Sequence, residues 1–413
     1  MTLLTVAAAA KHLDVSIDTI RRWDKRGMIK STRSSTNHRL FDSSEIERVN
    51  QKQHSRNRGD RKFHTLTAKR SGYTAIDLFA GAGGTALGLS NAGFSHLLLN
   101  EFDKNAAATL RNNRPDWNVV EGDVAGVDFK SFAGKVDLLE GGFPCQAFSY
   151  AGKKRGFEDT RGTLFYEFAR AVQEIQPKIA IGENVRGLLG HDEGRTLETM
   201  VTVLQGLGYD VNYKVLRGQY LDVPQKRERL IIIAVRNDLN IPLLFPRERD
   251  YIVSLWDAIG DRPAGPGQQY SDYKREIMEK IPAGGYWRDL PDHLQRDYLK
   301  GSYHLGGGKT GMARRLSWDE PSLTLTCNPA QKQTERCHPE DTRPLNVREY
   351  ARIQTFPDGW EFSGSVSAQY KQIGNAVPVN LGFHLGAAAN AMLSGLEQDE
   401  FIEMDPLPAN QAP

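Results

Sequence analysis

The sequence predicts an α/β protein: a doubly wound sheet interrupted by an inserted domain of irregular, strand-rich character and preceded by a small helical head. Three observations predict it. Strand-like and helical stretches alternate over residues 73–236, the alternation lapses over 237–343, and helical patterning resumes over 344–395. Charge is divided as well. Residues 1–71 carry 16 Lys/Arg against 7 Asp/Glu, although the whole chain of 413 residues has a net charge of only +2. A basic head suits either a polyanion partner or a solvated basic face, and charge alone does not choose between them. No apolar run approaches the roughly 20 residues a membrane helix needs. The Ala-rich start lacks a basic segment and runs into Lys11-His12, so a signal peptide is rejected. Three cysteines without a C-x-x-C pair build no disulfide framework, which favours a reducing, cytoplasmic setting.

In the head (1–50), Thr5 to Leu13 is Ala-rich and helical. Ser16 is placed to cap a second helix, Ile17 to Lys25, with Ile17, Ile20 and Trp23 inward and Asp18, Arg21, Arg22 and Lys25 outward. Met28 to Phe41 reads as a hairpin with Arg33, Asn37, His38 and Arg39 near its tip. The order and spacing of these pieces resemble the winged helix-turn-helix of the MerR and excisionase class. That resemblance implies DNA binding, with Arg21 and Arg22 near the major groove and the wing, including Arg39, on phosphate or in the minor groove. Residues 51–72 are polar and basic and read as a linker that grazes phosphates.

The body begins with strands at Tyr73–Phe79, Ser95–Asn100, Val136–Leu139, Lys178–Gly182 and Arg229–Arg236. The first ends in Phe79-Ala80-Gly81-Ala82-Gly83-Gly84, a glycine turn whose backbone N–H groups approach a ligand closely. Glu101 stands 20 residues past Gly81, where a carboxylate accepts from a ribose diol, and Asp123 follows the next strand. These point to an adenosine-containing cofactor, and the G-x-G-G spacing makes a nicotinamide dinucleotide the weaker candidate. Cys145 sits in a Gly/Pro-rich loop at a strand's end, Glu183 ends the next strand, and Arg227 and Arg229 alternate into the last. A lone cysteine is more often structural, but its company here argues for chemistry.

Taken together the blocks resemble the DNA (cytosine-5) methyltransferases, in that family's linear order: D-L-F-A-G-x-G-G, G-D, G-G-F-P-C-Q-x-F-S, E-N-V and Q-x-R-x-R. After the variable region follow R-E-Y-A-R-I-Q-T-F-P and Q-I-G-N-A-V-P. The resemblance spans residues 73–390. It implies a Rossmann-like domain dependent on S-adenosylmethionine, with 237–343 as target-recognition domain; residues 396–413 are expected to be a flexible tail. By that resemblance Cys145, flanked by Pro144 and Gln146, adds to carbon 6 of a cytosine flipped from duplex DNA. Glu183 acts at ring N3, and Arg227 or Arg229 lowers the thiol pKa. Phe79, Gly81, Gly83, Glu101, Phe102, Asp123, Pro144, Leu164, Asn375 and Val377 are implied for the cofactor. The loop after the nucleophile would close on DNA through Ser149 and Arg155. Base readers are sought among Arg314, Arg315, Thr324, Thr326, Gln331, Lys332 and Gln333. Cys327, Cys337 and His338 fit no common zinc module.

The expected partners are double-stranded DNA and, through the head, the protein's own promoter; a cognate endonuclease would share the target site and need not bind. An RNA cytosine-5 methyltransferase and a transcriptional regulator are the competing readings.

Overall fold

The computed structural model describes residues 3–13, 17–25, 29–34, 36–47, 64–144, 163–304, 311–396 and 399–408. Two compact units result: 1–63 with 254–353, and 64–253 with 354–413.

The head follows its sequence closely. Leu3–Thr5 (β1), Ser31–Arg33 (β2) and Arg39–Asp42 (β3) form an antiparallel sheet in the order β1-β3-β2. Thr5 caps the helix Val6–His12 by accepting from the Ala8 N–H at 3.2 Å. Expected to be helical from Thr5, the chain instead enters through β1, because Leu3–Thr5 pairs with the edge of the wing. The second helix is Ile17–Lys25. Ile20 and Trp23 are buried with Ala9, Ala10, Leu13, Ile29, Phe41 and Ile46, whereas Ile17, expected inward, is 37% exposed on the first turn. The wing turns at Asn37 (φ +62°), where Ser34 N–H donates to the His38 carbonyl at 2.8 Å.

The second unit is built on a seven-stranded sheet. Its strands are Thr74–Leu78 (β4), Ser95–Glu101 (β5), Val119–Glu121 (β6), Leu138–Gly141 (β7), Ile179–Val185 (β8), Tyr209–Arg217 (β9) and Glu228–Arg236 (β11); the short Gln225–Lys226 (β10) precedes the last. Their spatial order is β6-β5-β4-β7-β8-β11-β9. β4 through β8 run parallel, with helices between them, and β11 is antiparallel to both β8 and β9. β9 was not foreseen. Its alternating Asp210, Asn212 and Lys214 mask an edge strand whose one face is buried. Core side chains pack on both faces: Leu78, Leu139, Phe165, Phe168 and Ile232 on one, Ala75, Leu138, Ile181, Ile231 and Leu381 on the other. A Cβ at Gly84 would collide with the Val377 carbonyl oxygen, so the helix Gly84–Asn91 closes on the segment leading into the helix Val379–Ser394 only because glycine stands there. Residues 64–72, read as linker, are strapped on: Leu66 N–H donates to Asn380 Oδ1 at 2.9 Å, and Ser71 N–H to the Gly93 carbonyl at 3.0 Å.

The insert differs from its expected strand-rich character. Its regular elements among the described residues are the helices Leu255–Ile259, Asp272–Glu279 and Asp292–Leu299, short 3₁₀ turns, a two-residue strand, Ser322–Leu323, and the strand Leu244–Pro246, which pairs antiparallel with Phe401–Glu403 and so ties down part of the tail expected to be flexible. The Gly/Pro-rich stretches do not form a ladder, because side chains satisfy their backbone. Arg315, 4% exposed, donates to the carbonyls of Met278 (2.7 Å), His338 (3.2 Å) and Glu340 (3.2 Å) and to the Thr342 hydroxyl (2.9 Å). No helix among the described residues is long and apolar enough to cross a membrane.

Candidate active site

A cavity of about 770 Å³ opens at the C-terminal ends of β4, β5, β7 and β8. A parallel sheet gathers its strand ends on one rim, and the βα turns there leave backbone N–H groups free for a ligand. Because β11 runs the other way, its start lies on that same rim, so Arg229 pairs in register with Val185 at the end of β8. Arg229 Nε then reaches Glu183 Oε1 at 2.5 Å, with both side chains about 12% exposed. Arg227, 2% exposed, sends Nη2 to the Gly374 carbonyl at 3.1 Å. Both arginines line the cavity, one on the carboxylate and the other on the C-terminal G-N-A-V segment.

One end of the cavity is made of glycine turn and carboxylate. Gly81 (φ +56°) and Gly83 (φ +87°) take left-handed backbone, and a Cβ at Gly83 would press on Leu110 and Trp360. Phe79, at φ +58°, adopts the same region with a full side chain. Glu101 accepts from the Gly81 N–H and from the Asp103 N–H, each at 2.7 Å, leaving further lone pairs on both oxygens. Burial holds its pKa above the usual carboxylate range against those two bonds. Phe102, beside it, is 77% exposed, an uncovered ring at the cavity mouth. Asp123 lines the wall and accepts from the Ala125 N–H at 2.9 Å. This set fits an adenosine-bearing ligand: N–H groups and carboxylates for the polar groups, an open ring for a flat base.

The other end gathers Gly142, Phe143, Pro144, Glu183 and Asn184. Asn184 Nδ2 donates to the Phe143 carbonyl at 2.8 Å and so holds the strand end immediately before Pro144. Leu164, Asn375 and Val377 also line the cavity, completing the cofactor set expected from the sequence except Gly83, which stands just behind the wall. Cys145, Gln146, Ser149 and Arg155 lie outside the described residues, as does the side chain of Arg22.

Some cavity residues were not singled out from the sequence. Asp77 on β4 and Glu140 on β7 stand in register, each 1% exposed, and both face the cavity. Burial pushes Asp77 up to about 7, the neighbouring Glu140 carboxyl opposes the rise, and Glu101 adds to it. Burial and the charges of Asp77 and Glu183 push Glu140 well above its usual range. An acidic residue inside an otherwise apolar strand, V-D-L-L-E-G-G, was the available signal.

Elsewhere the expected contacts divide. Arg21 is exposed on its helix, whereas Arg39 is held by Asp24 at 2.6 Å. Arg314 stacks over Tyr286 at 5.5 Å and Lys332 over Tyr298 at 5.0 Å. Gln331 and Gln333 are exposed, and Thr324 and Thr326 half-buried. Arg315 is a correction to its expected role as a base reader: its guanidinium is spent on the insert's own carbonyls, as described above. Cys337 is buried and Cys327 exposed.

Residues 73–390 match the model of the C-5 cytosine-specific DNA methylases, and residues 5–41 that of the MerR family regulatory proteins. The chain is 55% identical over 408 residues to the Type II methyltransferase M.Eco47II of Escherichia coli, covering 95% of this chain and 97% of that one. It is 54% identical over 325 residues to M.Sau96I of Staphylococcus aureus, covering 77% of this chain and 76% of the other. Among solved structures, a prophage-encoded protein of E. coli aligns with a TM-score of 0.57 at 23% identity, over 78% of this chain and 99% of that one. A mutant of DNMT2 from Spodoptera frugiperda aligns with a TM-score of 0.52 at 16% identity, over 77% and 99%. At such identities the likeness is one of fold.

Proposed function

The chain belongs to the C-5 cytosine-specific DNA methylases, and from that premise we propose that it methylates carbon 5 of a cytosine flipped out of duplex DNA. S-adenosylmethionine would be the donor, and the enzyme would be the modification half of a restriction–modification system, as the names of its relatives suggest. The observation that carries the reading is the cavity wall: Glu183, bound to Arg229, shares it with Pro144, the residue before Cys145.

The chemistry needs these residue types. Carbon 5 of cytosine is a poor nucleophile. Addition of the Cys145 thiolate to carbon 6 pushes electron density towards carbon 5 and makes it reactive. Glu183 holds the base at N3, where charge gathers, and Arg229 fixes the carboxylate for that task. S-adenosylmethionine, when bound, supplies an electrophilic methyl group on a sulfonium. Glu101 and Asp123 would hold its ribose and adenine, with Phe102 against the ring and the Gly81 turn beneath. Loss of the carbon 5 proton then expels the sulfur. A base stacked in a duplex reaches no such cavity, so extrusion is required. The insert 237–343 serves as the target-recognition domain.

Labelled S-adenosylmethionine and mixed-sequence duplex DNA should yield 5-methylcytosine, and its absence across many sequences overturns the reading. A 5-fluorocytosine duplex carrying the site should trap an adduct that Cys145→Ala does not form. Methylation of tRNA in preference to DNA would instead favour the RNA alternative.

The MerR match and the exposed Arg21 support a second role for the head, operator binding that represses the protein's own operon. Deleting residues 1–63 should release promoter occupancy and raise expression. Unchanged expression removes the idea, and salt-dependent binding without sequence preference would leave the head as a general DNA anchor.

A further inference from the structure

Four neighbouring strands present charged side chains to one face of the sheet beneath the cavity. Asp77 on β4 is in register with Glu140 on β7, and Glu140 with Ile181 on β8, so Glu183, two residues on, shares that face and meets Arg229 of β11. Glu183 is occupied by Arg229, and Glu101 on β5 by two backbone N–H groups. Asp77 and Glu140 are left over. Neither oxygen of Asp77, nor Oε1 of Glu140, has a hydrogen-bond donor from the described residues around them, and both side chains line the cavity.

An ionised carboxylate buried without donors is strongly disfavoured, and two side by side more so. Such a pair retains a proton between its members. The charged groups around it are Glu101 from β5, Asp123 beyond it, Glu183 from β8, and Arg227 and Arg229 from the strand entry. The helix Gly84–Asn91 adds only Gly84 and Thr85 to the wall, and the titratable group of the helix Val379–Ser394, His384, is paired with Asp222 at 2.9 Å. Among the described residues Arg229 is engaged with Glu183 and Arg227 Nη2 with the Gly374 carbonyl, and neither donates to Asp77 or to Glu140 Oε1.

We propose that Asp77 and Glu140 form a proton-sharing carboxyl pair that makes the cavity prefer a cationic sulfonium ligand to its neutral thioether. The inference rests on the reading of the cavity as the S-adenosylmethionine site. The sulfonium carries one positive charge and S-adenosylhomocysteine, left after methyl transfer, does not. Near neutrality the free pair exchanges between a neutral form holding two protons and a singly negative form holding one; entry of the cation favours the singly negative form, and the second proton passes to solvent. Once the methyl group has gone, the pair holds the spent ligand less tightly, which favours exchange for fresh donor. Because a cation binds best to the ionised pair, donor affinity rises with pH through neutrality while that of the thioether stays flat.

Titration calorimetry on the full chain, without DNA, tests this with S-adenosylmethionine and S-adenosylhomocysteine at pH values of about 6 and about 8. Wild type should show an affinity ratio, donor over thioether, that rises several-fold across that window; amine titration common to both ligands cancels in the ratio. Glu140→Gln should lower the ratio about tenfold and flatten its pH slope while leaving thioether affinity intact. A purely structural role would weaken both ligands together and leave the slope. If Glu140→Gln fails to bind thioether, Asp77→Asn is judged by the same criterion. A flat wild-type ratio, or a ratio and slope preserved in the variants, overturns the proposal. Wild type binding neither ligand would overturn the S-adenosylmethionine reading itself, and this inference with it.

Discussion

In the insert, Arg315 spends its guanidinium on three carbonyls and a hydroxyl. Glu335, fully buried, accepts from Tyr298 Oη at 2.9 Å and from the Ala313 N–H and pairs with Lys274, while His338 Nδ1 accepts from the N–H groups of Glu340 and Asp341. In the cavity wall, Asp77 and Glu140 are buried as deeply with donors missing, and Glu183 is tied through Oε1 alone in the bonds described. The insert has few and short ladders, so charged side chains with several partners each hold its backbone. The cavity has a sheet for that purpose, so its charges are available to a ligand. Buried charge thus tells little by itself; the count of satisfied partners separates scaffold from chemistry.

Substitutions that remove charge from each place probe this contrast. The largest effect is expected for Glu183→Ala, a loss of about 10³-fold in single-turnover methylation with thermal unfolding near wild type. A parallel fall in stability would make Glu183 as structural as the insert's charges. Next, Arg315→Met should lower stability by about 3–5 kcal/mol, read as a lower urea midpoint, because several buried carbonyls lose their donor. If the midpoint stays put, the clamp is ornamental and the contrast fails. Gly84→Ala should cost about 1–3 kcal/mol through collision with the Val377 carbonyl, and should weaken S-adenosylmethionine binding in calorimetry. The smallest effect is local and depends on pH. Burial, followed by the charge of Arg343, pushes His338 down to about 4 from an ordinary 6.5. The unfolded segment therefore takes up the proton first, and the stabilisation is complete above about pH 6.5 and lost as pH falls towards about 4. Hydrogen exchange at the amides of Glu340 and Asp341 should accelerate across that window, and His338→Asn should flatten the response.

Most of the sheet was legible because its strands are apolar runs bounded by glycine turns: Thr74–Leu78, Ser95–Glu101 and Glu228–Arg236 lie where the pattern puts them. The edge strand Tyr209–Arg217 was hidden by polar alternation, and the insert's helices by glycine and proline around them. Of the site, the glycine turn, Glu101, Glu183 and the two arginines announced themselves as residue types at strand ends. Asp77 and Glu140 did not, although Asp77 opens the D-L-F-A-G-x-G-G turn.

Local order along the chain already establishes the family, the sequence of blocks and the chemical groups on offer, because each block is a short stretch whose spacing carries its meaning. Partnership does not follow from spacing. That Arg229 meets Glu183, that Asp77 meets Glu140 from 63 positions away, and that Arg315 turns inward are consequences of strand direction, register and burial. Only folding brings distant side chains within a few ångströms and removes the water that would otherwise satisfy them.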